Sequence, residues 1–444
     1  MFKKLTAMCV NKAPFWTGLL VSVLFVMPFS AQAQLTIEIN ESYENALPIA
    51  IVPLDWKGQT QQPPQDLSEI IRNNLRRSGK FKPVELSQLP ARPTLVEEVN
   101  FDQWRQLDVD NLLIGKITDQ GNDRYMIEMR FLDVLRKVQV IGKRWSNIPG
   151  KQLRQIAHIM SDLIYQELTG IKGAFNTQIA YVTLKTRDGK RKYTLEVADA
   201  DGFNPQPILR SPQPIMSPSW SPDGKKLAYV SFEKGRSHII VQSLDGKYRE
   251  TIASYKGING APAWSPDGQK MALTLSKDGS ADIYVMDMAN RSLKRLTRHW
   301  SIETEAAWAA DGRSLFFNSD RRGQPQIFQV FLDTGEIQRV SFEGRYNANP
   351  EISPDGRYLA MVHGQGGFHI GLLDLMTNQF NVLTQSFLDE SPTFSPNGEM
   401  ILYAMNQGSI GKLAVVSVDG TTSQTLSVRD GQVREPAWGP YLNR

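Results

Sequence analysis

Residue types that could do chemistry are few in this 444-residue chain, and their spacing argues against most of it. The five histidines, His158, His238, His299, His363 and His369, show no metal-ligand spacing, although His363 and His369 flank a short turn and could meet. His-Glu-x-x-His, the Gly-x-Ser-x-Gly elbow and the Gly-x-x-x-x-Gly-Lys-Ser/Thr loop are all absent. Gly364-Gln-Gly366-Gly367-Phe-His369 begins like a dinucleotide fingerprint but lacks the last glycine and a helix to follow it. Asp199-Ala-Asp201-Gly202 starts like a calcium loop without the remaining ligands, and reads better as a turn.

Carboxylates are more informative. A Pro-x-Trp-Ser-Pro-Asp-Gly theme recurs with its third position at 220, 264, 308, 352, 394 and 438, steps of 44, 44, 44, 42 and 44 residues. Asp223, Asp267, Asp311 and Asp355 recur because a tight turn needs them: Pro fixes φ, Asp bonds local backbone, and Gly takes the left-handed conformation. The residues just ahead of each repeat vary instead: Met216-Ser217, Gly260-Ala261, Thr304-Glu305, Ala348-Asn349, Glu390-Ser391 and Arg434-Glu435. Upstream of these lie Asn259, Glu303, Asn347 and Asp389.

A repeat of this length made only of short strands predicts a β-propeller, one four-stranded blade per repeat. Inner strands of a propeller line its tunnel, so the variable residues converge on one mouth. That mouth gathers five carboxylates, several amides and one arginine, which suits docking of a peptide or protein, with a calcium-like cation able to offset the charge. The competing class is a lactonase-type propeller hydrolase with an axial metal on Glu305, Glu390 and Glu435. A carbohydrate-binding propeller would need an aromatic platform, which these residues do not supply.

The elements that must position the mouth follow from the pattern. Residues 177–184, 192–199 and 205–209 read as second, third and fourth strands without a first, and Pro436-Ala-Trp438 reads as a first strand without followers. Pairing them predicts a six-bladed β-propeller over residues 174–444, closed by the C-terminal strand so that no sheet edge is left open. Residues 34–173 mix strand-like runs with two helical stripes, one opened by Asp66 and stopped by Ser78-Gly79, the other running from Gln152 to Leu168. They predict a small N-terminal α/β domain, and the whole chain is α+β multidomain. Residues 1–33 have a basic start (Lys3, Lys4, Lys12), an apolar run at 15–29 and Ala31-Gln-Ala33, which predicts a secretory signal peptide cleaved after Ala33. The apolar run is too short to span a bilayer. Cys9 leaves with that segment. Basic residues exceed acidic ones by four, and three of the excess lie in the leader, so nothing in the charge favours nucleic acid.

The joining segment Leu168-Thr-Gly-Ile-Lys-Gly-Ala-Phe175, the Asp-Gly repeats, Arg210-Ser-Pro-Gln-Pro-Ile-Met-Ser-Pro218, Phe387-Leu-Asp-Glu-Ser-Pro392 and the ending Asp430-Gly-Gln-Val-Arg-Glu-Pro-Ala-Trp-Gly-Pro-Tyr-Leu442 together resemble the TolB family, periplasmic propellers of the Tol-Pal system. The resemblance covers essentially all of the chain beyond the leader. It implies a non-enzymatic periplasmic adaptor, monomeric, without cofactor and without membrane insertion, that supports outer-membrane integrity and invagination during cell division. It implies that the lipoprotein Pal binds at the mouth, through Asn259, Thr304, Glu305, Asn349, Asp389, Glu390 and Arg434. It also implies that the C-terminal periplasmic region of TolA engages the mature N-terminus. That segment is a mobile strand over residues 34–44, with Gln34, Leu35, Thr36, Ile37, Glu38 and Ile39 making the contact.

Overall fold

The computed structural model describes residues 39–41, 46–408, 410–426 and 431–442. The leader, its cleavage at Ala33, and Gln34, Leu35, Thr36, Ile37 and Glu38 lie outside the described residues.

Leu47–Ile51 is apolar and pairs in parallel with Phe81–Pro83 on one side and Asn111–Gly121 on the other. Arg124–Asp133 and Val138–Pro149 continue the sheet antiparallel, and the short Asp55–Lys57 also joins Asn111–Gly121. Two helices cover one face, Leu67–Arg77 and Leu153–Thr169. Leu67, Ile70, Ile71 and Leu75 form the stripe of the first, and Leu153, Ile156, Met160 and Ile164 that of the second; all pack with Ile49, Ile51 and Leu113 in one buried cluster. Asp66 caps the first helix, its carboxylate accepting from the Glu69 amide at 3.0 Å, and Gly170 ends the second at φ 74°. The opposite face buries Trp104, carried on Phe101–Arg105. A five-residue helix is too short for periodicity to reveal it.

Beyond Gln178 the described elements are all strands, in antiparallel groups of four. The first strands of successive groups are Ile215–Trp220, Asn259–Trp264, Glu303–Trp308, Tyr346–Ile352 and Leu388–Phe394. Gln432–Trp438 pairs with Gln178–Arg187, which continues to Lys190–Asp199 and Gln206–Ser211. These first strands touch in order, and Gln432–Trp438 touches both Leu388–Phe394 and Ile215–Trp220. Second strands such as Lys226–Ser231 are buried almost throughout, because each sheet is covered on both faces.

The repeat residues hold neighbouring groups together. Trp308 Nε1 donates to the Ala263 carbonyl at 2.9 Å and Trp220 Nε1 to that of Ala437 at 3.1 Å, so each indole bonds the first strand of the preceding group. In the turn, Ser221 Oγ donates to Asp223 at 2.6 Å, Asp223 accepts from the Lys225 amide at 3.0 Å, and Gly224 sits at φ 68°. The reading of these aspartates as turn residues holds.

A half-buried charge clasp joins the helical layer to the strands. Arg154 reaches Asp201 at 2.6 Å and Asp199 at 3.3 Å, and Asn74 Nδ2 lies 2.9 Å from His158 Nδ1. Asp199-Ala-Asp201-Gly202 is the turn expected of it, closed by Gly202 N to Asp199 O at 2.8 Å, and it also serves this clasp. Ile39–Glu41 pairs antiparallel with Thr422–Leu426 as an added outer strand, Ile39 opposite Gln424.

Candidate functional site

The ladder breaks register once in every first strand, between Met216 and Ser219, Gly260 and Ala263, Thr304 and Ala307, Ala348 and Glu351, Glu390 and Thr393, and Arg434 and Ala437. These are β-bulges, and they explain how five of six strands carry an internal proline: Pro has no N–H for the ladder and is accommodated where the ladder is already interrupted. At each bulge one non-glycine residue takes positive φ: Ser217 49°, Ala261 44°, Glu305 56°, Asn349 53°, Ser391 55° and Glu435 53°. The proline inside a strand was the signal for this, and the sequence reading missed it.

The bulges surround a cavity of about 750 Å³ whose lining includes Glu305, Glu351, Glu390 and Glu435 and no lysine, arginine or histidine. Amides at the bulges are met by the neighbouring group. Ser217 N donates to Glu435 at 3.3 Å, Glu305 N to Thr274 Oγ1 at 3.2 Å, and Asn349 N to Asn318 Oδ1 at 2.8 Å. The same Asn318 donates through Nδ2 to the Glu305 carboxylate. Burial pushes Glu305 above the ordinary carboxylate range and Glu351 up to about 7. Glu435 also rises to about 7, through burial first and then repulsion by Glu390 and Glu305. Such a set makes the cavity acidic and resistant to full ionisation.

The structure divides the seven expected mouth residues. Glu305, Asn349, Asp389 and Glu390 border the cavity. Asp389 is fully buried, however, with its carboxylate accepting from Thr384 Oγ1 at 2.5 Å and from Ser386. Asn259 is fully buried and turned into its own loop, bonded at 2.8 Å to both the N and O of Tyr255. The upstream carboxylate Glu303 is likewise buried, against Arg321. These three brace the loops entering the strands. Thr304 is half-buried beside Asn318 at 3.4 Å, and Arg434 is exposed outside the cavity, 3.3 Å from Gln432 Oε1. His363 and His369 do sit opposite each other, but His363 is buried and bonded to Asn347 Oδ1 at 2.9 Å.

Sequence reasoning missed Glu351, which follows the bulge, and the apolar rim. The loops entering the first strands expose Ile258 (51%), Trp300 (81%), Ile302 (60%), Phe342 (69%) and Phe387 (77%). Each directly precedes or lies within four residues of a first strand, so all stand at the bulge end of the cavity. Tyr346 and Phe368 line the opening edge to face, 5.2 Å between ring centres, so aromatic surface is present after all. Among the described residues no helix is long and apolar enough to cross a membrane.

Comparison with known proteins agrees with this architecture. Residues 165–442 match the model of the TolB beta propeller domain, and residues 35–140 that of the TolB amino-terminal domain. The chain is 69% identical over 425 residues to the Tol-Pal system protein TolB of Hydrogenovibrio crunogenus, covering 96% of this chain and 98% of that one. It is 55% identical over 428 residues to the protein of the same name from Thioalkalivibrio sulfidiphilus, with the same coverage. A crystal structure of TolB from Acinetobacter baumannii superposes with a TM-score of 0.84 at 39% identity, covering 92% of this chain and all of that one.

Proposed function

The chain belongs to the TolB family, and from that premise we propose that it is a non-enzymatic periplasmic adaptor of the Tol-Pal system. In this reading the propeller has six blades and is closed by the strand Gln432–Trp438, a view supported by its pairing with Gln178–Arg187. The domains are the leader at 1–33, the α/β domain at 34–173 and the propeller at 174–444. Pal docks at the mouth, and TolA takes the mature N-terminal segment beginning at Gln34. The adaptor thereby supports outer-membrane integrity and invagination at division.

The observation that carries this reading is the ring of exposed large apolar side chains around an acidic opening. Large apolar side chains such as Trp300, Phe342 and Phe387 gathered exposed at one concave mouth suit a surface that another protein covers. Titration calorimetry with the soluble domain of Pal tests it. Trp300→Ala and Phe387→Ala are each expected to weaken binding at least about ten-fold, the cost of an interface hot spot, while Lys247→Ala on a strand-connecting turn leaves it unchanged. Wild-type affinity in both rim variants rejects docking at the mouth. Deleting residues 34–44 is expected to abolish TolA capture and spare Pal.

The glutamate set favours one addition, a divalent cation in the tunnel held by Glu305, Glu390 and Glu435. Calcium is then expected to raise the melting temperature of the wild type and not of Glu435→Gln. The hydrolase reading uses the same carboxylates. Ester turnover that depends on added metal and stops with chelator would favour it over the adaptor.

A further inference from the structure

Val138–Pro149 closes one side of the N-terminal sheet and pairs only with Arg124–Asp133. At twelve residues it is the longest strand described. The outer strands Arg249–Ala253, Leu293–Arg295, Ile337–Arg339 and Phe380–Val382 of the repeat sheets run only three to five. A short edge gives another strand little to pair with, whereas a long one presents a row of outward N–H and C=O groups. Register shifts bracket its middle, so residues 141–145 form a regular stretch, in which Gly142, Lys143 and Arg144 are exposed.

Side chains alternate along that stretch. Ile141 and Trp145 turn to the helix-covered face and pack in the cluster of Ile49 and Leu153. Gly142 and Arg144 turn to the other face, where the register builds a row of alternating charge across four strands. Asp55 stands opposite Lys116, Lys116 opposite Glu128, and Glu128 opposite Arg144. Lys116 Nζ lies 2.8 Å from one oxygen of Glu128, and Arg144 donates to the other through Nε at 3.0 Å and Nη2 at 2.6 Å. Glu128 is buried with both oxygens engaged, and the row ends at the open edge on Arg144, whose side chain is 64% exposed. An acid opposite Arg144 on one further strand is the next member of the row. Gly142, on the same face, leaves room there for a second backbone to come close.

We propose that this edge receives an extended acidic segment of a partner protein, added as a further strand. An aspartate or glutamate sits opposite Arg144, and apolar residues alternate with it toward Trp145. A second copy of this chain fits poorly, because antiparallel pairing centred on Lys143 or Arg144 sets that cation against its own counterpart. The site is separate from the mouth and does not rest on docking there.

The probe is a synthetic strand peptide, Ser-Val-Thr-Val-Glu-Val-Thr-Val-Ser, with a counterpart carrying Lys in place of Glu, each titrated into the whole protein. Fluorescence anisotropy gives the affinities and hydrogen exchange locates the contact. The Glu peptide is expected to slow amide exchange at residues 141–145 and to bind about ten-fold more tightly than the Lys peptide, attraction being exchanged for repulsion. R144Q is expected to bring the two peptides within about two-fold of each other, while R144K keeps the preference, so that the loss in R144Q reports charge and not folding. Unchanged exchange at 141–145 with either peptide overturns the proposal, as does equal affinity of the wild type for both. A peptide-free dimer in sedimentation that protects 141–145 assigns the edge to a second copy and also overturns it.

Discussion

A glutamate gains little by ionising inside the tunnel. Glu351 and Glu435 titrate near 7 because burial disfavours the charged form, whereas in the unfolded chain they titrate near 4.5. The folded protein therefore holds protons that the unfolded chain has released between those values, and stability falls as pH rises across that window. Glu351→Gln is expected to exceed the wild type by about 2 kcal/mol at pH 8 and to match it at pH 4.5, read by urea denaturation. His158 has the opposite sign. Burial pulls it down to about 4, so stability is lost as pH falls from 6.5 toward 4, where only the unfolded chain takes up the proton. Its ring is expected to stay neutral above pH 5 by NMR titration; an ordinary histidine titration near 6.5 would contradict the burial of His158. Glu305, Asn349 and Glu390, singled out from the sequence, line the cavity. Asn259 and Asp389 are buried and bonded within their own loops, because a polar residue ahead of a strand serves a loop as readily as a partner, and their burial is visible only in the fold.

At the scale of elements, the bulge decides what the tunnel contains. Positive φ costs a non-glycine residue about 1–2 kcal/mol, and here it is accepted once in every first strand. Ala261→Gly is expected to gain about 0.5 kcal/mol, the relief being partly offset by the freedom glycine has when unfolded. Denaturation midpoints check this, and a loss above 1 kcal/mol would show that the methyl group packs. Turns and strands were legible from Ser-Pro-Asp-Gly and the apolar runs because those signals act over four to six residues. The rim was not. Nothing in the sequence marks Trp300 and Phe387 as exposed until the strands that follow them are placed around a common opening.

For the molecule as a whole, the Arg154–Asp199–Asp201 clasp ties the helical layer to the repeat. Asp201→Ala leaves Arg154 with Asp199 alone in a partly buried site and is expected to cost about 2 kcal/mol, seen as an earlier unfolding transition. Removing residues 432–444 should be worse, because it bares the edge of Gln178–Arg187 to pairing with other chains; aggregation on refolding, by light scattering, is the readout.

The sequence by itself determined the strands, the turns, both long helices and the repeat, since each depends on propensities and periodicities acting between near neighbours. Only the tertiary structure decided which side chains face the tunnel, which rise to the rim and which disappear into loops. One bulge in a strand reverses the facing of everything beyond it, and residues 217 and 435 meet only because the strands that carry them, far apart in the chain, pack side by side.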